Sequence, residues 1–261
     1  LVKNTTLLRL YLGHNQIGDV GIQTISNVLE KNTTLTELDL SDNRASDAGI
    51  ETISRLLGTN VGLTQLKFGG NKITGEWMQR ISEVLVKNTT LVHLELWNSQ
   101  IGGVEAEAIG VVLLKNKVLG HLDFWNNQIG DAGAEAISSS LKENTTLVRL
   151  NLKYNRIGSR GAQAINAALI ANTTLTELNL MDNEIDDAVL EEIGLLIKRN
   201  KEIAMKKQLS FELVRASAKK EEFLNRLKNN DATLTKLDFM WEKIGDAGAE
   251  AVCEALTKNT I

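Results

Sequence analysis

Leu147-Val148-Arg149-Leu150-Asn151-Leu152-Lys153-Tyr154-Asn155-Arg156-Ile157 writes a strand and a turn in eleven residues. Leu150 and Leu152 alternate with polar neighbours, so both point to one side of a short extended segment. The phrase is not unique. Its first leucine returns as Leu7, Leu35, Leu63, Leu91, Leu119, Leu147 and Leu175, each 28 residues from the next. Internal repeats of this length stack into a solenoid instead of folding as a globule. The functional question therefore moves from pockets to surfaces.

One repeat shows the logic. In Leu119–Asn144, Leu119, Leu122 and Phe124 follow the pattern L-x-x-L-x-L, and Asn127 and Ile129 close the turn. Asparagine suits that place because its side chain bonds neighbouring backbone amides. Gly130-Asp131-Ala132-Gly133 opens a helix, with Asp131 as its expected N-cap. Ala136, Ile137 and Leu141 lie at helical spacing, and Asn144 ends the unit, where it is expected to take the left-handed C-cap conformation. Strand, turn and helix each have one apolar face, and no single unit can cover it alone.

The phrase T-L-x-x-L-x-L-x-x-N-x-I-G-D-x-G-x-x-x-I-x-x-x-L-x-x-N, nearly complete at Leu7–Asn32, Leu119–Asn144 and Leu147–Asn172, resembles the ribonuclease-inhibitor type of leucine-rich repeat. The resemblance implies an α/β fold: a right-handed solenoid, or horseshoe, with a concave parallel β-sheet and convex helices. It says little of function, because inhibitors, innate-immune receptors, GTPase activators and bacterial effectors share that architecture. The domain expectation is a single repeat domain over 1–261, with seven regular repeats in 1–202, an irregular basic helical insert at 203–233 and a final repeat at 234–261.

Net charge is −4 and aromatics make up 4% of the chain, so no global nucleic-acid footprint exists. Proline is absent. Cys253 is the single cysteine, cannot form an internal disulfide, and points to a reducing compartment, the cytoplasm. No signal peptide or long apolar segment is present, which argues against a membrane role. Asn-Thr-Thr triplets at Asn4, Asn32, Asn88, Asn144 and Asn172 match the glycosylation acceptor pattern but read as one helix-ending consensus copied five times. The chain opens and closes inside repeats (Leu1–Leu7 aligns with Leu85–Leu91, and Lys258-Asn-Thr-Ile261 is cut short), so it reads as a fragment.

The ruler breaks after the seventh unit. Lys206 and Gln208 fall where core leucines belong, and the next clean phrase, Leu234-Thr-Lys-Leu-Asp-Phe239, arrives three residues late. Met205, Leu209, Leu213, Ala216, Phe223 or Leu224 and Leu227 trace a helical stripe instead, interrupted by Lys220. Residues 198–230 hold ten Lys or Arg against four Glu. The plain expectation is that this stripe packs on the flanking repeats with its lysines in solvent. The functional alternative is a basic amphipathic helix that docks on a partner.

The outward positions of the strands carry the strongest functional signal. They read Arg9-Tyr11-Gly13-His14, Glu37-Asp39-Ser41-Asp42, Gln65-Lys67-Gly69-Gly70, His93-Glu95-Trp97-Asn98, His121-Asp123-Trp125-Asn126, Arg149-Asn151-Lys153-Tyr154, Glu177-Asn179-Met181-Asp182 and Lys236-Asp238-Met240-Trp241. Three of four tryptophans and all three histidines fall in this set, which is far from random placement. Equivalent positions on adjacent strands lie about 4.8 Å apart, so Trp97 and Trp125 are expected side by side. Exposed aromatics and arginines dominate binding hot spots. The candidate protein-binding set is Trp97, Trp125, His93, His121, Glu95, Asp123, Tyr154, Arg149, Lys153, Met181 and Trp241.

His93, Glu95, His121 and Asp123 form a rectangle whose side chains diverge on a twisted sheet, so no metal site is expected. Imidazoles paired with carboxylates are expected instead. No nucleophile stands beside a base and no glycine loop cradles phosphate, so neither catalysis nor a cofactor is expected. Gly69-Gly70 reads as a bare strand end. Trp77 replaces the helix-start glycine found at Gly21, Gly49, Gly133, Gly161 and Gly248 and reads as a packing variant.

The leading expectation is a non-catalytic module that binds a partner protein or peptide on its concave face, with no nucleic acid. The alternatives are a GTPase-activating protein of the Ran activator type, whose catalytic arginine finds no match here, and a structural unit that stacks end to end.

Overall fold

Leucines that alternate with polar residues cannot bury both faces of a strand, so each strand must lay its apolar side on a helix. In the computed structural model, which describes residues 3–71 and 75–228, each of seven repeats does this. The strands are β1 (Arg9–Tyr11), β2 (Glu37–Asp39), β3 (Gln65–Lys67), β4 (His93–Glu95), β5 (His121–Asp123), β6 (Arg149–Asn151) and β7 (Glu177–Asn179). Between and after them run α1 (Asp19–Leu29), α2 (Asp47–Thr59), α3 (Gly75–Lys87), α4 (Gly103–Lys115), α5 (Gly130–Leu141), α6 (Ser159–Ala171) and α7 (Asp187–Lys228). All seven strands form one parallel sheet in sequence order. Its register keeps the 28-residue step throughout, as in Leu94↔Leu122 and Leu122↔Leu150. The expected α/β leucine-rich-repeat solenoid is therefore the observed architecture.

The leucine pattern predicts strands such as Arg9–Leu12 and His121–Phe124, and each is one residue shorter in the structure. The chain there turns into a column of left-handed residues at the same 28-residue step: His14, Asp42, Gly70, Asn98, Asn126, Tyr154 and Asp182 all have positive φ. Backbone bonds between repeats still run through this column, as His14 N donates to Ser41 O at 2.9 Å and Asn98 N to Trp125 O at 2.8 Å, while the left-handed backbone bends the chain out of the extended strand.

The core is a set of leucine rows. Leu38, Leu66, Leu94, Leu122 and Leu150 face Ile53, Ile81, Ile109, Ile137 and Ile165 across the solenoid, and all are 2% exposed or less. Each such side chain contributes about 1.5–3 kcal/mol on burial.

Two asparagine ladders tie the rows together. At the ends of α1 to α6, a buried or half-buried asparagine carboxamide serves two repeats. Asn116 Nδ2 donates to Leu85 O at 2.6 Å and Asn88 O at 3.0 Å in the preceding repeat. Its Oδ1 accepts from the N–H groups of Val118 at 2.8 Å and Leu119 at 2.7 Å in its own. The expectation of a left-handed asparagine here fails: Asn60, Asn116 and Asn172 are extended, with φ of −76°, −70° and −73°. The extended conformation aims the side chain inward, where it satisfies four backbone groups. This also removes Asn32, Asn144 and Asn172 from any role as glycan acceptors, since each is 5% exposed or less. The second ladder closes the turns. Asn127 Nδ2 donates to Leu96 O and Phe124 O, both at 2.9 Å, while Oδ1 accepts from Ser99 N and Ile101 N.

Asp131 also departs from its expected role. It lies inside α5 and caps the next helix instead: its Oδ1 accepts from Gly158 N at 2.8 Å and Gly161 N at 2.9 Å, at the start of α6. Asp19 does the same for α2 through Ser46 N and Gly49 N. Caps pass from one repeat to the next because the helix starts lie side by side. Trp77 is a packing variant, as expected: it is 3% exposed, its indole N–H donates to Ile50 O at 3.2 Å, and its ring tilts against Phe68 at 6.2 Å.

The chain divides into two units, Leu1–Glu202 and Ile203–Ile261. No strand forms at Ile203–Gln208. The seventh repeat's helix does not stop, and α7 continues to Lys228. Met205 and Leu209, the first members of the apolar stripe, are 67% and 57% exposed; the expected packing of the stripe on the final repeat lies outside the described residues. The expected final repeat, with its strand at Lys236–Phe239, lies outside the described residues. Among the described residues, no helix is long and apolar enough to cross a membrane.

Asn116→Ala should cost about 3 kcal/mol, because it orphans several buried backbone groups at about 1–3 kcal/mol each. Leu94→Ala should cost about 2–5 kcal/mol. Val20→Ala, on the exposed face of α1, should stay within about 0.5 kcal/mol. Urea unfolding of the three variants checks the order.

Candidate functional site

The short strands set the site's geometry. On each, the middle leucine points inward and its two neighbours point out, so the outward residues form straight columns across the sheet. In the columns nearest the strand starts, charges of opposite sign interleave. Arg9 Nε lies 3.5 Å from Glu37 Oε2, and Lys67 Nζ bridges Glu37 Oε1 at 3.6 Å and Glu95 Oε1 at 3.7 Å. His93 Nε2 lies 3.1 Å from the same Glu95 oxygen. Farther along, Arg149 Nε meets Glu177 Oε2 at 2.6 Å, and Lys153 Nζ meets Asp182 Oδ2 at 3.1 Å. Glu37 was expected to face water, yet it is 9% exposed. The Tyr11 hydroxyl donates to it at 3.0 Å, and Arg9 and Lys67 flank it.

His93 and His121 stand on adjacent strands with ring centroids 5.2 Å apart, edge to face. The expected pairing of both imidazoles with carboxylates holds for His93 alone. Asp123 turns away: Oδ1 accepts from Trp125 N at 2.8 Å and Oδ2 from Asn151 Nδ2 at 3.0 Å. Burial is the largest influence on Glu95 and pushes its carboxyl up, but the His93 hydrogen bond and the Lys67 charge outweigh it and hold the group below the usual range. Burial, then repulsion from His93 and Arg149, lowers the His121 imidazole. A shallow concavity of about 460 Å³ opens over these groups, lined among others by His93, His121, Arg149, Asn179 and Lys201. Among the described residues, no three His, Cys, Asp or Glu side chains are arranged to hold a metal ion.

Beside this charged half runs an aromatic strip. Trp97 and Trp125 have ring centroids 6.0 Å apart at an interplanar angle of 46°. Trp125 is 38% exposed, Tyr154 47% and Met181 64%. Trp97 is half-buried. Tyr154 adopts a left-handed φ of 56°, a conformation that costs an aromatic residue about 1–3 kcal/mol, and Lys153 Nζ sits 5.2 Å over its ring. The Asn126 amide donates to Asn98 Oδ1 at 3.1 Å along the strip's edge. Trp241 lies outside the described residues. Of the remaining candidates, the structure gathers Trp97, Trp125, Tyr154, Lys153 and Met181 into this strip. It places His93, His121, Glu95, Asp123 and Arg149 around the concavity beside it.

Two contributors were missed in the sequence. Gly69 and Gly70 are not a bare strand end, because the Trp97 indole lies directly on them. A Cβ on Gly69 would sit 2.5 Å from Trp97 Cδ2. The outward position of His14 is legible in the repeat, but its contact with Trp97 is not. Its ring stacks on the indole at 6.3 Å, and its Nδ1 lies 2.8 Å from Asp42 Oδ2. The available signal was the position of the glycines, one repeat before the tryptophan in the same column.

Comparison with known proteins follows the repeat. A family model described as Leucine Rich repeat matches residues 3–26, 31–54, 115–138, 143–165, 171–194 and 230–253, together more than half of the chain. No curated protein matches. Among solved structures, the chain is similar to one described as leiomodin-1 actin-binding site 2, at 27% identity with a TM-score of 0.56. That match covers 64% of this chain and 95% of the other. The tropomodulin C-terminal domain of Caenorhabditis elegans is similar at 13% identity with a TM-score of 0.51, over 72% of this chain and 98% of the other. At that identity the second likeness concerns fold alone.

Glu95 and His121 set a pH dependence of one sign below neutrality, to which Asp19, also lowered, adds on the acid side. Both have lowered values in the fold, so the unfolded chain binds more protons and stability falls on acidification. The His121 contribution is present above the ordinary imidazole value of about 6.5 and is lost as pH falls through its lower folded value. The Glu95 contribution is present above about 4.3 and is lost as pH falls through its own lowered value. Calorimetry between pH 7.5 and 3 should therefore give a melting temperature that declines in two stages. His121→Gln should flatten the upper stage and Glu95→Gln the lower; an unchanged upper slope in His121→Gln would contradict the assignment.

Proposed function

The chain belongs to the leucine-rich repeat family, and on that premise we propose that it is a protein-recognition module that binds its partner on the sheet face. The observation that carries the reading is the adjacent, solvent-facing pair Trp97 and Trp125, extended by Tyr154 and Met181. Large aromatics turned to water on a rigid sheet have no packing role that demands that side, and they are the residues on which interfaces concentrate binding energy. The leiomodin-1 structure, described as an actin-binding site, supports a protein ligand and makes actin the first partner to test.

The partner's chemistry follows from what the face leaves unsatisfied. Most of its charges already pair across strands, from Arg9–Glu37 to Lys153–Asp182, and Asp123 is held by Asn151 and the Trp125 amide. A charged partner residue would have to displace an existing pair, whereas an apolar side chain meets the open indole and thioether surfaces directly. The anchor taken by the strip is therefore an uncharged apolar side chain. The same pairing separates this face from one built to grip a strongly basic enzyme, which would present uniform acidity.

The test is direct titration of monomeric and filamentous actin with wild-type protein and with Trp97→Ala/Trp125→Ala. Truncating one hot-spot aromatic costs about 2 kcal/mol, roughly 30-fold in affinity, so the double variant should lose at least that. Raising salt from 50 to 300 mM should leave wild-type affinity nearly unchanged, because screening acts on charges between partners. Full affinity in the double variant would move the site off the strip. Turnover by small GTPases, or concentration-dependent light scattering without a partner, would favour the activator or stacking readings instead.

A further inference from the structure

We infer that Gly69 and Gly70 are the positioning residues of the aromatic strip: they form a seat that lays the Trp97 indole across the turn that follows β3 and against His14, so the anchor is preformed before any partner arrives. The inference rests on the reading of Trp97 as a binding anchor, but its geometry stands without a ligand.

The seat is defined by close approach. A Cβ at Gly69 would lie 2.5 Å from Trp97 Cδ2, 2.6 Å from Cγ and 2.7 Å from Cδ1, inside the distance at which carbon atoms can coexist. A Cβ at Gly70 would lie 3.1 Å from Cζ3, at the far side of the same ring. The indole thus spans both glycines from its pyrrole to its benzene half. Gly70 also holds φ at +71° and donates its N–H to Trp97 O at 2.7 Å, which fixes the backbone of the seat to that of the residue it seats. Beyond the glycines, the His14 ring lies 28° from the indole plane and is tied to Asp42. On the other side Trp125 leans at 46°. Glycine on one side, imidazole beyond and a second indole behind leave Trp97 one orientation.

Position explains why this needs glycine. The column reads Gly13, Ser41, Gly69, Trp97, Trp125, Lys153 and Met181, with neighbouring strands about 4.8 Å apart. A ring is wider than that spacing, so an indole that lies down must cover the place where its neighbour's side chain would stand. Any side chain at Gly69 would force Trp97 upright into solvent, free to sample rotamers and costly to order on binding. Ser41, the next position past Gly69, is 3% exposed although its place in the repeat faces outward.

The test is Gly69→Ala, made in a background with Trp125→Phe and Trp241→Phe, so that the quenchable fluorescence reports Trp97 while Trp77 stays buried. The expected result is a red-shifted emission and stronger acrylamide quenching. In the otherwise native chain the substitution should lower the melting temperature by a few degrees. In a Trp97→Ala background its effect should change sign and raise it by about 1–4 °C, since no positive φ opposes alanine at this position and the extra carbon restricts the unfolded chain. If Gly69→Ala leaves emission and quenching unchanged, or destabilises equally with and without Trp97, the glycine serves the backbone and the inference is overturned. Because these readouts need no partner, they stand or fall separately from the actin titration. Where a partner binds, Gly69→Ala should weaken it to about the level of Trp97→Ala.

Discussion

Asn116 holds two repeats at once, and the architecture depends on that kind of bond. Its amide hydrogens satisfy carbonyls of the repeat before it, and its oxygen satisfies amides of its own. A solenoid has no centre, so nothing but the neighbour can satisfy the backbone that each turn exposes. A buried carboxamide is the side chain that offers both donors and an acceptor without charge. Because the same bonds recur at the next asparagine, the repeat length is locked: an extra or missing residue would move the amide off its partners. The leucine rows then follow, since equal spacing places each inward side chain beside its equivalent.

The same locking makes the outward face what it is. Columns of equivalent residues, one strand apart, turn any pair of consecutive substitutions into direct neighbours. Lys67 between Glu37 and Glu95, His93 beside His121 and Trp97 beside Trp125 are all products of one register. The charged columns neutralise themselves, and the column nearest the strand ends keeps its apolar surface open. Specificity on such a face is a matter of what the lattice of columns leaves uncompensated, and here that is aromatic area.

Where a column breaks its own rule, local structure responds in a readable way. Trp77 takes a glycine's place and survives because its indole finds Ile50 O. Tyr154 occupies a left-handed position that in the other described repeats falls to Asp, Asn, His or Gly, and gains a lysine over its ring. After the seventh repeat no leucine phrase follows on time, and the helix that should have stopped runs on to Lys228.

Much was settled by the sequence alone. The 28-residue period set the fold, the alternating leucines set the inward side, and the outward residues of each strand could be named before any coordinate. These are periodic properties, and period is a property of the string. What the string could not hold was the outcome between repeats. Asp131 caps the following helix instead of its own, Glu37 disappears beneath Tyr11, Asp123 leaves His121 for Asn151, and Trp97 lies down on Gly69 toward His14 three repeats away. Each of these depends on a side-chain rotamer chosen among several partners at nearly equal distance. That choice belongs to tertiary packing, because only the assembled sheet brings residues 28 positions apart to within 5 Å and makes them compete.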